Sequence, residues 1–301
     1  ATFAEIMMYY RRKIVLAILE AFGGELEKLQ LQKLLMLFTT YQQEKSFHFV
    51  PYKFGCFSFQ ANADLSTMKK YEQVAESEKT WKKLDQTAYW GNLKPEDRMA
   101  VTKLKTKFEG KTSGELIRYT YVNFPYYAIN STVAERHLNT EEKAIVKAKK
   151  PKSSKKALFT IGYEGLSLEE YINKLLDADV KVLCDVRKNS FSMKYGFNKS
   201  QLQMACDGVG IRFIHIPEVG IVADKRKELN TQKDYDVLFE DYKKTVLPQT
   251  ISQQEEILEL IRTHERVAIT CFEANICQCH RKHLAEAICE LPAFDYELIH
   301  L

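Results

Sequence analysis

Apolar residues recur at helical spacing near the start of the chain. Ile6, Tyr10, Ile14 and Ile18 form one stripe, and Leu31, Leu34, Leu35, Phe38 and Tyr41 form a second, with Gly23-Gly24 as the stop between them. Apolar positions three or four apart share one face of a 3.6-residue helix, so two amphipathic helices are predicted. The rhythm breaks at FHFVPYKFGCFSF (47–59), where alternating aromatics surround a proline and a glycine and predict an extended ribbon with a turn. Further helices are predicted around 60–75, 95–108 and 113–122. The next stretch, EEKAIVKAKKPKSSKKA (141–157), holds seven lysines, two serines and a proline and reads as an exposed connector over 141–156.

Beyond the connector the pattern changes to apolar runs alternating with helical stripes. ALFTIGYEG (157–165), VKVLCDVR (180–187), IRFIHIPEVG (211–220), RVAITCFE (266–273) and FDYELIHL (294–301) read as strands. SLEEYINKLLDAD (167–179), NKSQLQMACDGVG (198–210), two stretches around Pro248 and CHRKHLAEAICEL (279–291) read as helices, the first opened by Ser167 and Glu170 at capping-box spacing. Unbroken apolar strands alternating with helices imply a parallel sheet covered on both faces. The expected architecture is a mostly helical domain over 1–140, a basic linker over 141–156, and an α/β, Rossmann-like domain over 157–301.

A chain of 301 residues, 45% of them hydrophobic, is long enough for two cores. Its net charge of +4 hides an asymmetry: residues 1–156 carry 27 Lys+Arg against 17 Asp+Glu, or +10, and the rest carry 17 against 23, or −6. A basic module joined to an acidic one suggests that the first meets a polyanion and the second works on something smaller. Seven cysteines without a regular framework suggest reduced thiols. No run is long and apolar enough to span a membrane, and the start of the chain lacks a secretory pattern, so a cytoplasmic protein is expected.

In an open parallel sheet, ligands bind beyond the carboxyl ends of the strands. Those positions hold Gly162, Tyr163 and Glu164, then Asp185 and Arg187, then His215, Glu218 and Gly220, then Cys271, Phe272 and Glu273. Such a concentration of ionisable groups points to a pocket. Glu164, Asp185 and Glu273 can serve as nucleophile or general base, with Tyr163 hydrogen-bonding or stacking; Arg187 and Arg281 can hold phosphate or carboxylate, Arg281 from the first turn of its helix. Carboxylate, aromatic and arginine together suit a nucleotide or nucleobase and cleavage of an N-glycosidic or phosphoester bond. Each residue also has a plainer use: Asp185 and Arg187 as a loop-fixing ion pair, His215 as a satisfied core histidine, Glu164 as a cap.

The stretch AITCFEANICQCHR (268–281) allows two other chemistries. Cys271, Cys277, Cys279, His280 and His283 could supply metal ligands, but all fall within 13 residues and form a single knuckle, so no metal and no other cofactor is expected. Cys271 at a strand end before a helix resembles the setting of rhodanese-like and cysteine-phosphatase thiolates, although Phe272 and Glu273 stand where small residues would cradle an anion.

Two family resemblances add to this. KLQLQKLLMLF followed by VPYKFGCFS resembles a winged-helix-like module, which implies nucleic-acid binding, DNA rather than RNA, with Lys33, Lys53, Lys69 and Lys70 as phosphate contacts. In the second half TIGYEG, CDVRKNSFSMKYGFNKSQL, IRFIHIPEVG and AITCFEANICQCHR, in that order across 157–291, resemble the family known as domain of unknown function 488. The motifs carry over Gly162, Tyr163, Glu164 and Gly165; Asp185 and Arg187; Lys194 and Phe197; His215, Glu218 and Gly220; and Cys271, Glu273, Cys279, His280 and Arg281. ANICQ departs from the family's usual Asp-Pro-containing segment, which makes Cys277 an addition.

The reading that joins these strands of argument is a DNA-associated protein, in genome defence or repair, whose α/β domain acts on a nucleotide-like molecule. Its carboxylates would do the chemistry, with Arg187, Arg281, Lys194, Gly162 and Gly165 around the anion. A ligand-sensing regulator without turnover and a thiol enzyme using Cys271 are the alternatives.

Overall fold

The structure is a computed structural model and describes residues 8–226, 229–292 and 294–301. The chain divides into two compact units, 1–150 and 151–301.

The first unit is mainly helical. Helix α1 (Tyr10–Ala21) buries every residue from Ile14 to Leu19, and Ile6, placed by its spacing on the same helix, lies outside the described residues. Strand β1 (Glu25–Glu27) leads into α2 (Lys28–Thr39), in which every residue from Leu31 to Thr39 is buried. A helix buried all round is enclosed by its domain rather than laid on the surface. The aromatic ribbon is a hairpin of β2 (Val50–Tyr52) and β3 (Gly55–Phe57), turning at Gly55 with φ +91°. Helix α3 (Phe59–Lys70) starts from the Ser58 cap and stops five residues short of the predicted 75. Strands β4 (Val74–Glu76) and β5 (Thr80–Lys83) follow and pair with β1 in the antiparallel order β1-β5-β4, a sheet the hydrophobic pattern did not reveal. Helices α4 (Pro95–Phe108), α5 (Ser113–Asn123) and the single turn α6 (Ala134–His137) complete the packing.

The expected connector over 141–156 needs correction. Residues Thr140–Lys149 form helix α7, opened by a capping box from Asn139 and Glu142, and Val146 is buried against the first unit. Lysines at 143, 147, 149 and 150 coat the outer face of a helix rather than a free linker, because good helix formers and two first-turn glutamates outweigh their mutual repulsion.

The second unit is α/β. Its elements are β6 (Ala157–Gly162), α8 (Leu168–Asp177), β7 (Val182–Asp185), α9 (Lys199–Gly208), β8 (Arg212–His215), α10 (Gln232–Thr245), α11 (Ile251–His264), β9 (Arg266–Cys271), α12 (His280–Cys289) and β10 (Glu297–His300). The five strands form one parallel sheet in the order β10-β6-β9-β7-β8. Every residue of β6, β7 and β9 is buried, as unbroken apolar strands require.

The order carries the functional consequence. From β6 the chain moves toward β7 and β8; from β8 it returns to β9 and then crosses to β10 on the far side. Right-handed crossovers put helices following these two directions on opposite faces, and Leu158, Cys184 and Ile269 pack with Phe239, Ile257 and Leu284 of α10–α12 on one of them. The connections that leave the neighbouring parallel strands β6 and β9 therefore run to opposite sides, which is the point where such sheets open a crevice. No helix among the described residues is long and apolar enough to cross a membrane.

Candidate functional site

A cavity of about 390 Å³ lies at the carboxyl edge of this sheet, lined by Tyr163 from the tip of β6, Arg187, Lys188, Asn189, Phe191 and Ser192 after β7, Ile221 after β8, and Cys271, Phe272, Glu273 and His280 around the end of β9. Three hollows lie elsewhere. One of about 420 Å³ sits between α4 and α5 and is lined by residues such as Phe108, Leu116 and Tyr119. One of about 260 Å³ lies over Lys33 and Trp81. The third, of about 240 Å³, holds Glu218, Gly220 and Asp241. Of these four, the sheet-edge cavity is the one that joins a carboxylate, an imidazole, a thiol and a guanidinium.

Arg187 sets the rim. Its Nε and Nη2 donate to the two Asp185 carboxylate oxygens at 2.8 and 2.6 Å, and Nη1 donates to Tyr163 Oη at 2.7 Å and to the Phe197 carbonyl at 2.9 Å. Burial works against the guanidinium charge, but the Asp185 carboxylate and the Tyr163 oxygen outweigh it and raise its pKa. Of five N–H donors four are used within the protein, so one Nη2 hydrogen remains. Tyr163 is in turn stacked on Phe197 at 4.2 Å between centroids and met edge-on by Phe272.

These contacts correct several expectations. Asp185 is fully buried and spends both oxygens on Arg187, so it is the anchor of the rim and not an acid or base on the cavity. Glu164 points away, its Oε2 accepting from the Ala274 amide at 2.9 Å, so the pairing of Glu164 with Asp185 does not form. Arg281 is buried at 2% exposure and donates to the carbonyls of Glu273 and Ala274; it ties down the loop instead of clamping a ligand. Lys194 donates to the Tyr163 carbonyl at 2.8 Å, and burial lowers its pKa. Gly162 is required by close approach, not by an anion: a Cβ there would meet the Glu273 carbonyl at 1.9 Å. Gly165 turns the chain into α8 with φ +79°. His215 is not part of the cavity wall; its Nε2 donates to the Arg187 carbonyl at 2.9 Å, because a carbonyl only accepts. Phe197 is fully buried beneath Tyr163.

Glu273 is the one carboxylate residue on the cavity wall among the described residues. Beside it, the Cys271 thiol donates to Glu273 Oε2 at 3.3 Å, and its sulfur is 3.7 Å from His280 Nδ1. His280 Nε2 lies 3.1 Å from the Val186 carbonyl. A carbonyl only accepts, so Nε2 carries the proton and Nδ1 presents its lone pair to sulfur. Cys279, the residue before α12, completes the group: its Sγ, the Cys271 Sγ and a ring nitrogen of His280 all lie within 4.8 Å of one another, and all three residues are buried. Burial and the neighbouring Cys271 raise the Cys279 pKa well above its ordinary value. Spacing along the chain gave no expectation of a metal set, yet the fold returns the start of α12 to the end of β9 and assembles these donors. Cys277 is exposed and outside the group, and His283 is held by Glu286.

Lys188, Asn189, Phe191, Ser192 and Ile221 line the cavity but were not singled out from the sequence, because the segment after β7 has no periodicity. Lys188 and Asn189 do directly follow Arg187, which is where a strand-end reading could have continued.

The phosphate contacts expected in the first unit also divide. Lys33 is 1% exposed and donates to the carbonyls of Phe54 and Cys56, so it is a buried structural lysine. Lys53 and Lys70 are exposed, and Lys69, also exposed, pairs with Glu76 at 3.0 Å.

Residues 167–288 match the model of the family described as Domain of unknown function DUF488, the family that the motifs of the second unit resemble. The matched span begins after β6, so the TIGYEG tip lies outside it. No curated protein matches the chain.

Proposed function

We propose that the second unit is a hydrolytic enzyme acting on a nucleotide or nucleobase, with the substrate in the sheet-edge cavity and Glu273 as general base. One observation carries this reading: Glu273, the remaining Arg187 donor, Lys188 and the aromatic faces of Phe272 and Phe191 share one cavity of about 390 Å³. That volume falls within the roughly 300–1,000 Å³ of small-molecule sites. A flat heterocycle can lie against the aromatic residues, and an anionic group can meet Lys188 and the Arg187 Nη2 hydrogen. The carboxylate then faces the ring and can take a proton from water. The thiol alternative has less support, because a fully buried Cys271 hydrogen-bonded to a carboxylate is disfavoured as a thiolate.

The test is incubation of the purified full chain with a panel of nucleotides and with modified and unmodified DNA, followed by mass spectrometry of the products. Glu273→Gln is expected to lower turnover by at least about 100-fold while ligand binding persists. Glu164→Gln is expected to stay within about threefold of the parent, since it replaces a group off the cavity. Equal loss in both variants, or none in Glu273→Gln, would remove Glu273 from the chemistry.

The first unit, in the winged-helix-like reading, supplies nucleic-acid affinity. Its support is the +7 charge of residues 1–150, 24 Lys+Arg against 17 Asp+Glu, together with the exposure of Lys53, Lys69 and Lys70. Replacing these three with alanine should flatten the dependence of DNA binding on salt.

A further inference from the structure

We infer that Cys271, Cys279 and His280 bind a zinc-class divalent cation at the floor of the cavity, with the fourth position open toward Glu273. The inference rests on the proposed hydrolytic reading for its use, but the metal site itself is argued from the three donors. Zinc with bonds of about 2.3 Å to sulfur and about 2.0–2.1 Å to nitrogen at tetrahedral angles spaces the two donors by about 3.6 Å. The Cys271 sulfur and His280 Nδ1 are 3.7 Å apart. The third donor, Cys279, lies within 4.8 Å of the Cys271 sulfur and of a ring nitrogen of His280, close enough to converge on one ion by small side-chain rotations.

The surroundings fit ligands more than they fit packing. Metal-bound histidines commonly donate their other ring nitrogen to a carbonyl, and His280 holds the Val186 carbonyl in this way. The donor atom is thereby the unprotonated Nδ1, which faces sulfur. Cys279 stands at the N-terminal end of α12, where the helix amides offset part of the burial cost of a thiolate. Arg281, buried next to it, supplies a compensating positive charge and fixes the Glu273–Ala274 carbonyls on the other side of the loop. Thiolates on a divalent ion need no proton, so two are released to solvent on binding, the Cys271 hydrogen now given to Glu273 and the Cys279 hydrogen.

The open position follows from which donors reach the wall. Cys271 and His280 line the cavity and Cys279 does not, so the remaining side of the ion faces the substrate space. Three protein ligands and a water is the arrangement of a catalytic zinc, whereas a structural site closes with a fourth side chain. A water bound there would give one proton to the Glu273 carboxylate and keep its electron pair for attack. The product is a neutral carboxyl group on Glu273 and a hydroxide on the cation. The contact of 3.3 Å between Cys271 Sγ and Glu273 Oε2 puts base and first ligand side by side.

The experiment is elemental analysis of the full chain purified without chelator or histidine tag. About one zinc per chain is expected, falling below about a tenth in Cys279→Ser and His280→Ala, with Cys277→Ser unchanged as the exposed-thiol control. The chelator-stripped wild type, titrated with cobalt(II), should develop thiolate-to-metal charge-transfer absorption that saturates at a 1:1 ratio. This measurement decides the matter even if the ligand variants fail to fold. Wild type that carries no transition metal and takes up neither zinc nor cobalt overturns the site. The two readings fail separately: a metal-free chain that still binds and cleaves a nucleotide removes only the metal, and a zinc-loaded chain inert to the whole panel removes only the substrate class.

Discussion

Lys33 in the first unit and Arg187 in the second are both buried cations, and from the sequence both invite the same interpretation, an anion supplied from outside. Each is instead held by its own unit. Lys33 gives its ammonium to two neutral carbonyls, those of Phe54 and Cys56. Arg187 meets a full negative charge on Asp185 and then the Tyr163 oxygen and Phe197 carbonyl. The difference lies in the counter-charge. Lys33 uses two of its three donors and Arg187 four of its five, so each leaves one, but Arg187 is locked in place by a carboxylate while Lys33 is held by neutral carbonyls. A side chain can thus be structural and available for binding at once when an ion pair fixes its direction and a donor is left over.

The largest effect that would break this comparison comes from the pair itself. Asp185→Ala leaves the Arg187 guanidinium buried without its counter-charge and is expected to destabilise the second unit by about 3–5 kcal/mol in denaturant unfolding. A cost near zero would mean that Arg187 swings out and was never locked. Lys33→Met should cost less, about 1–3 kcal/mol, because it leaves two carbonyls without a donor but also removes a buried charge. It should leave the salt dependence of DNA binding unchanged; a flatter dependence would return Lys33 to the surface. Gly162→Ala is expected to cost about 1–3 kcal/mol by pushing the Glu273 carbonyl off the tip of β6, and to reduce turnover beyond what that instability explains.

How much of this could be read in advance differs between the units for a physical reason. Buried parallel strands leave unbroken apolar runs, so the sheet of the second unit, its helices and the place of the crevice all follow from the pattern. The strands of the first unit are three or four residues long, and Glu25–Glu27 buries only Leu26, which is too short for alternation to register. Lys33 was legible in principle, since a lone lysine inside LQLQKLLMLF sits on a helix with no polar face to offer it. The site was half legible. Strand tips named Tyr163, Arg187, Cys271 and Glu273, but whether a carboxylate faces the cavity or a private partner depends on side-chain contacts across the sheet, as Asp185 shows. The cysteine and histidine donors form a single knuckle within 13 residues, and the sequence alone does not show that the start of α12 folds back to bring Cys279 and His280 against Cys271.

The smallest effect expected concerns an exposed group in the first unit, outside either buried cation. Hydrogen bonds from Lys111, then from the Thr112 amide and hydroxyl, lower the Glu115 pKa to about 2 from its ordinary 4.5. A depressed carboxyl stabilises the fold above its unfolded pKa, and that contribution fades as pH falls from about 4.5 toward about 2. Comparing unfolding midpoints at about pH 5 and about pH 3 should show a shallower decline in Glu115→Gln than in the parent. Identical declines would mean that this cap carries no measurable share.

The crossing at Gly162 has one more implication. The amides of Tyr163 and Glu164 both donate to the Phe272 carbonyl, and the Glu273 carbonyl rests where a Gly162 side chain would be. Main chain, rather than side chains, therefore ties the segment bearing the reactive groups to the first strand of its sheet. For anyone wishing to retune this protein by random mutagenesis, positions 188–192 and the side chains facing the hollow are open ground, while Gly162 acts as a hinge pin whose replacement moves everything hung upon it.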